Sequence, residues 1–97
     1  MQYDVQNPLI VQSDKTILLD VHAKNAEQAR NGLVPFAELE KSPEHLHTYK
    51  LSPLSLWNAA TAGVSAKQII DVLQNFSRFP VPHSVEAWIV EILYMFG

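Results

Sequence analysis

Tyr49 to Ser77, YKLSPLSLWNAATAGVSAKQIIDVLQNFS, constrains this chain more than any other stretch, because it writes a strand, two helices and the corner between them. Ser52 is a good N-cap, and Pro53 suits the first helical position, where an amide hydrogen has no intrahelical partner to lose. The helix is expected to run to about Ala62, with Leu54, Leu56, Trp57, Ala60 and Ala62 giving it a broad apolar side. Gly63 can take the left-handed conformation that closes a helix. Ser65, with Gln68 three residues on, forms a capping box that opens a second helix. Ile69, Val72, Leu73 and Phe76 then fall at i, i+3, i+4 and i+7, one stripe against a core, while Lys67, Asp71 and Gln74 stay wet.

Leu9-Ile10-Val11, a turn at Ser13-Asp14-Lys15 and Thr16 to Leu19 make a hairpin signal. Asn25 and Gln28 repeat the capping pattern, so a short helix is expected over Ala26 to Asn31, with Gly32 as its stop. Val34 to Glu40 is ambiguous, since Pro35 can open a helical turn or begin an edge strand and Phe36 can anchor either; a strand or extended segment is favoured. Ser42-Pro43-Glu44 mark a turn, and Leu46 to Leu51 is a strand entering the central helix. Pro80 and Pro82 end the second long helix by forcing their predecessors into extended geometry. Ser84 is expected to cap a last helix that buries Val85, Trp88, Ile89, Ile92, Leu93 and Phe96.

These elements predict a single α+β domain over residues 1–97, a short antiparallel sheet of the hairpin plus one or two further strands, packed on three to four helices. Ninety-seven residues, 47% hydrophobic and 18% charged, are enough for one core. The formal charge of -3 gives no basic field to gather nucleic acid. Its acidity lies in the first half, where seven acidic side chains face four basic ones. Without cysteine there is no disulfide, thiolate chemistry or Cys-type zinc site, and the absence fits a reducing compartment. The first dozen residues lack the basic start and apolar run of a signal peptide. The apolar segment Val85 to Phe96 is too short to span a bilayer. A cytoplasmic protein with no membrane contact is the expectation.

Chemistry-bearing motifs are sparse. Three glycines, none followed by Lys and Ser or Thr, exclude a P-loop in this chain, and there is no nucleophile elbow. His45 and His47 flank Leu46 and would share a strand face beside Glu44, but two ligands lack a third at metal-site spacing. His22 and His83 read as isolated, and Glu38 and Glu40 as a solvated strand face. Trp57 and Trp88 lie on helical stripes and read as core. Tyr49 either fills the strand–helix junction or presents its ring on an open face. The two helices around Gly63 also admit a helix-turn-helix reading, in which Lys67 and Arg78 would be the DNA contacts. The exposed set Lys67, Asp71, Gln74 and Asn75 is too neutral to carry phosphate binding alone.

The order Leu9-Ile10-Val11, Ile17-Leu18-Leu19, Leu33-Val34, Phe36-Ala37-Glu38, Tyr49-Lys50-Leu51-Ser52, Ser55-Leu56, Ala59, Gly63, Ile69, Leu73, Ser77 and Pro82 resembles the N-terminal domain of the XPB (xeroderma pigmentosum group B) helicases in their bacterial version. The resemblance covers about Pro8 to Phe96 and is most specific over Tyr49 to Gly63 and Ser77 to Pro82. It implies a parent that is an ATP-dependent superfamily 2 helicase of 3′ to 5′ polarity acting in nucleotide excision repair. ATP and Mg would be held by motor domains absent from this chain, which by itself has no catalytic residue, cofactor or metal. It also implies docking on a protein partner or on the parent's own helicase core, self-association through the sheet as a further option, and DNA contact through the parent. Leu33, Phe36, Leu46 and Tyr49 are the residues assigned to docking. Relatives have Asp-Gly in the first turn and Thr before the central helix. Asp14-Lys15 therefore implies a different or longer turn here, while Ser52 caps as well as Thr.

Overall fold

A computed structural model describes residues 3–96, in the order β1 (Leu9–Val11), β2 (Thr16–Asp20), α1 (Ala26–Leu33), β3 (Glu38–Lys41), β4 (Leu46–Lys50), α2 (Pro53–Thr61), α3 (Ala66–Phe76) and α4 (His83–Tyr94). The strands form one antiparallel sheet in the order β1-β2-β4-β3. The fold is α+β, as the sequence implies.

Alternation along each strand sorts the side chains into two faces. Leu9, Val11, Ile17, Leu19 and Tyr49 point to the helices and are buried with Leu33, Phe36, Leu51, Leu56, Ile69, Leu73, Val85 and Ile89. Tyr49 is 4% exposed, so the ring fills the strand–helix junction, and this burial raises its phenol above the ordinary pKa.

The central pair of helices forms as its residues dictate. Ser52 accepts from the Ser55 amide at 3.0 Å and Ser55 Oγ accepts from the Ser52 amide at 2.9 Å. Ser65 and Gln68 make the second box, at 3.1 and 2.8 Å. Gly63 closes the corner at φ 88°, where a side chain would be strained. α2 nevertheless faces inward differently from its apolar pattern. Ser55, Leu56 and Ala59 are its buried set, and Leu54 is exposed. Trp57 is not core either. Its ring is part-exposed and its indole N–H donates to the Ile92 carbonyl at 3.1 Å, satisfying an acceptor in the last turn of α4. Trp88 is half-buried, with Lys15 Nζ 5.1 Å from its ring centroid, and Phe96 is exposed.

Three end signals act otherwise than expected. Asn25 takes a left-handed conformation, φ 63°, and makes no side-chain cap, so the Asn25/Gln28 spacing is not a capping box. Gly32 lies inside α1 rather than beyond it, because the residue is needed for close approach: a Cβ there would come 3.0 Å from Val72 Cγ1 on α3. Ser84 is inside the first turn of α4, whose N-cap is Pro82. The first hairpin keeps a short turn although Lys15 has no glycine's freedom. Lys15 adopts φ 71° itself, and Gln12 N–H to Thr16 O (2.9 Å) and Lys15 N–H to Gln12 O (3.0 Å) close it.

Gly32→Ala places helix propensity worth about 1 kcal/mol against that contact with a β-branched, rotamer-stiff neighbour. The substitution should therefore be neutral or destabilising alone, and adding Val72→Ala should turn it favourable by about 1 kcal/mol relative to Val72→Ala by itself. A urea double-mutant cycle showing no coupling between the two positions would refute the close approach.

Candidate docking face

The four helices cover one face of the sheet. On the other face strand alternation places Ile10 of β1, Leu18 of β2, and Leu46 and Thr48 of β4. The register aligns Ile10 with Leu18 and Leu18 with Thr48, and Leu46 opposes Asp20. Ile10 and Leu18 are half-buried and Leu46 is 40% exposed, and none of the three belongs to the core cluster or packs against it. Thr16, Asp20, Glu38 and Lys50 surround this row with polar groups. An apolar strip with a charged rim is the composition of a recognition surface.

The sheet edges differ. β1 is covered: Leu9 bridges Ser77, and Arg78 N–H donates to the Leu9 carbonyl at 2.7 Å. β3 is bare. All four of its residues are exposed, and a register shift between Leu39 and Lys41 with Glu38, Glu40 and Lys41 discourages indiscriminate strand addition.

Of the four residues assigned to docking, Leu46 alone lies on the open face. Leu33, Phe36 and Tyr49 are buried in the core, 0%, 1% and 4% exposed, so they hold the fold and present nothing to a partner. Ile10 and Leu18 were missed, because the runs LIV and ILL are apolar on both faces and do not say which face stays open.

The two candidate DNA contacts are both engaged. Lys67 Nζ donates to Asp71 Oδ2 at 2.8 Å, and that partner raises the ammonium's pKa. Arg78 donates from Nε to the Asn7 carbonyl at 3.0 Å and from Nη2 to Asp20 Oδ2 at 3.2 Å, joining the segment after α3 to β2 and the approach to β1. Neither cation is an unpaired group lining a groove.

Asp20 is held below the usual carboxylate range, first by the His22 N–H that donates to Oδ1 at 3.0 Å and also by Arg78. A depressed folded-state pKa contributes stability above the unfolded carboxylate's value, and this is lost as pH falls through the folded value. Asp20→Asn should therefore flatten the fall in Tm as pH drops below the ordinary carboxylate value of about 3.9. An unchanged acid limb in thermal scans would disprove this role.

Histidine contributes a grouping the sequence did not suggest. His22, which reads as isolated, lies with its Nε2 2.6 Å from His45 Nδ1, and His45 Nε2 is 2.9 Å from Glu44 Oε1. His47 points to the helix side, opposite Leu19, and lines a 280 Å³ cleft with Leu19, Val21, Ala26, Glu27 and Arg30. Among the described residues no three His, Asp or Glu side chains converge as a metal site, and no helix is long and apolar enough to cross a membrane.

The family profile described as "Helicase conserved C-terminal domain" matches residues 9–97. The segment is 52% identical over 90 residues to the DNA 3'-5' helicase XPB of Kineococcus radiotolerans and 51% identical to that of Mycobacterium tuberculosis, covering 93% of this chain and 16% of each relative. The chain belongs to this helicase family. It is also 36% identical, over 93% of its length and 15% of the relative's, to the general transcription and DNA repair factor IIH helicase/translocase subunit XPB of Enterocytozoon bieneusi. The profile's description is of a C-terminal helicase domain, whereas the resemblance drawn from the residues was to an N-terminal one. What the two share is a helicase, and the likeness to XPB helicases comes from the relatives. The chain thus spans about one-sixth of the length of the bacterial helicases it matches.

Proposed function

We propose that this segment is a non-catalytic accessory domain of an XPB-like 3'-5' DNA helicase of nucleotide excision repair, on the N-terminal side of the motor, which it docks or positions through the open sheet face. The observation that carries the reading is the strip Ile10–Leu18–Thr48 with Leu46, apolar, cross-strand and covered by no helix. Its support outside that face is negative space of a specific kind. Every strand pairing in the sheet is antiparallel, so among the described residues there is no parallel βαβ unit at whose strand ends a nucleotide would sit. The sequence contains no phosphate cradle. ATP and Mg then belong to motor domains elsewhere in the parent. The partner is that motor, another protein or a second copy of this chain, in the bacterial cytosol beside the nucleoid. A helix-turn-helix role has less to support it, since Lys67 and Arg78 are already paired.

Leu18→Glu is the test, because a half-buried residue outside the core can take a charge without unfolding the domain. The chain's mass in solution should exceed 10.9 kDa with rising concentration, and the variant should weaken that association at least tenfold. DNA affinity should be weak and nearly the same at about 50 and 200 mM salt. Steeply salt-dependent, tight binding would overturn the docking reading. So would a monomer whose parent helicase unwinds DNA equally well with Leu18 or Glu at this position.

A further inference from the structure

We propose that His22 and His45 form a proton-operated latch that ties the β2–α1 turn to the loop before β4 and admits one added proton but not two. The two rings meet nitrogen to nitrogen at 2.6 Å, with centroids 4.8 Å apart and planes at 41°. The centroid distance is close to the sum of the nitrogen separation and two ring radii, so the nitrogens face each other nearly head-on. Between such atoms there is room for one hydrogen, donated by one ring and accepted by the other.

Proton accounting follows from the neighbours. With both rings neutral, His45 carries its proton on Nε2, where Glu44 Oε1 accepts it at 2.9 Å, and its bare Nδ1 accepts from His22 Nε2–H. A first added proton enters at His22 Nδ1, away from the contact, and leaves the hydrogen bond intact. Asp20, which accepts the His22 amide and the Arg78 guanidinium, lies close enough to feel the charge. A second has only His45 Nδ1 left. That would set two N–H groups and two positive rings against each other, so the contact must open.

The surroundings do not relieve this repulsion selectively. Lys24 lies in the same turn, Glu27 and Arg30 stand on α1 as a loose pair 3.9 Å apart, and His47 faces the helix side of β4. Glu44 is the carboxylate on His45, and it already serves the opposite nitrogen. What the latch holds is local: the Val21 N–H donates to the His45 carbonyl at 3.3 Å, and Val21 and His47 both line the cleft under α1. Opening the pair frees the Val21 side of that cleft.

The experiment is an NMR acid series on the wild-type chain that reads ring–ring nuclear Overhauser contacts between His22 and His45 together with amide exchange at Val21. The contact should persist at neutral pH and be lost once both rings carry two protons. Val21 protection, corrected for intrinsic exchange, should fall at least tenfold together with that loss. His45→Ala should leave Val21 unprotected already at neutral pH, whereas His83→Ala should change neither reading. A ring contact that survives with both rings doubly protonated would overturn the latch, as would Val21 protection indifferent to the loss of the contact. Each readout comes from the folded chain itself, so neither depends on a variant's survival.

Discussion

Phe36→Ala should remove about 3–5 kcal/mol of stability, the usual cost of emptying a fully buried aromatic site. For a domain whose whole margin is roughly 5–15 kcal/mol, that lowers Tm by roughly 12–40 °C. Phe36 is 1% exposed and among the largest fully buried side chains, although it follows α1 in a turn rather than lying in a helix or strand. The turn is what aims it. Phe36 N–H and Ala37 N–H both return to the Leu33 carbonyl, at 3.0 and 2.8 Å, so the chain folds back over the end of α1 and sends Phe36 inward while Val34 stays 64% exposed. Leu46→Ala is the matched control. As a 40% exposed side chain off the core it should cost no more than about 1 kcal/mol. Thermal scans giving the two variants equal Tm values would mean that Phe36 is a surface residue after all, as the docking assignment supposed.

That pair of variants also marks where the sequence was legible. Elements with their own punctuation came through: the Ser52 and Ser65 boxes, the Gly63 corner and the stripe of α3 are local hydrogen bonding and a 3.6-residue period, both contained in a few neighbouring residues. What failed depended on distant partners. Gly32 looks like a stop until Val72, forty positions on, supplies the crowding that requires it. Trp57 looks like core until the last turn of α4 offers a carbonyl to its indole. Val34 to Glu40 admitted a helical turn at Pro35 as well as the favoured extended run, and the structure holds both, a turn over 34–36 and a strand from Glu38, because only the distant core decides where Phe36 goes. The open face was hidden for another reason. β1 and β2 read LIV and ILL, apolar on both sides, so their alternation leaves no polar mark on Ile10 and Leu18. A chain that covered this face with helices and one that left it bare would look the same over these residues. The histidine pair was invisible because twenty-three positions separate its members, and only the β2–β4 register brings the turn after one strand beside the loop before the other.

Leu73→Ala is the second large effect, about 2–5 kcal/mol, and it tests an element the sequence did predict. Leu73 is fully buried on α3, the helix that lies against α1, α4 and β1 together, so truncation opens a void at the junction of three elements rather than at an edge that could collapse. Its backbone role survives the change, since the Ser77 hydroxyl donates to the Leu73 carbonyl and not to the side chain. The loss should therefore be packing alone. In urea the midpoint should fall at constant m-value, as expected when stability changes without a change in the surface exposed. Leu73→Met keeps most of the volume and should cost less than about 1.5 kcal/mol. If alanine and methionine cost the same, cavity formation is not the cause, and the stripe at 69, 72, 73 and 76 does not hold α3 to the sheet. A drop in m for the alanine variant would instead mean that α3 frays on its own, and that the helices and the sheet do not unfold as one unit.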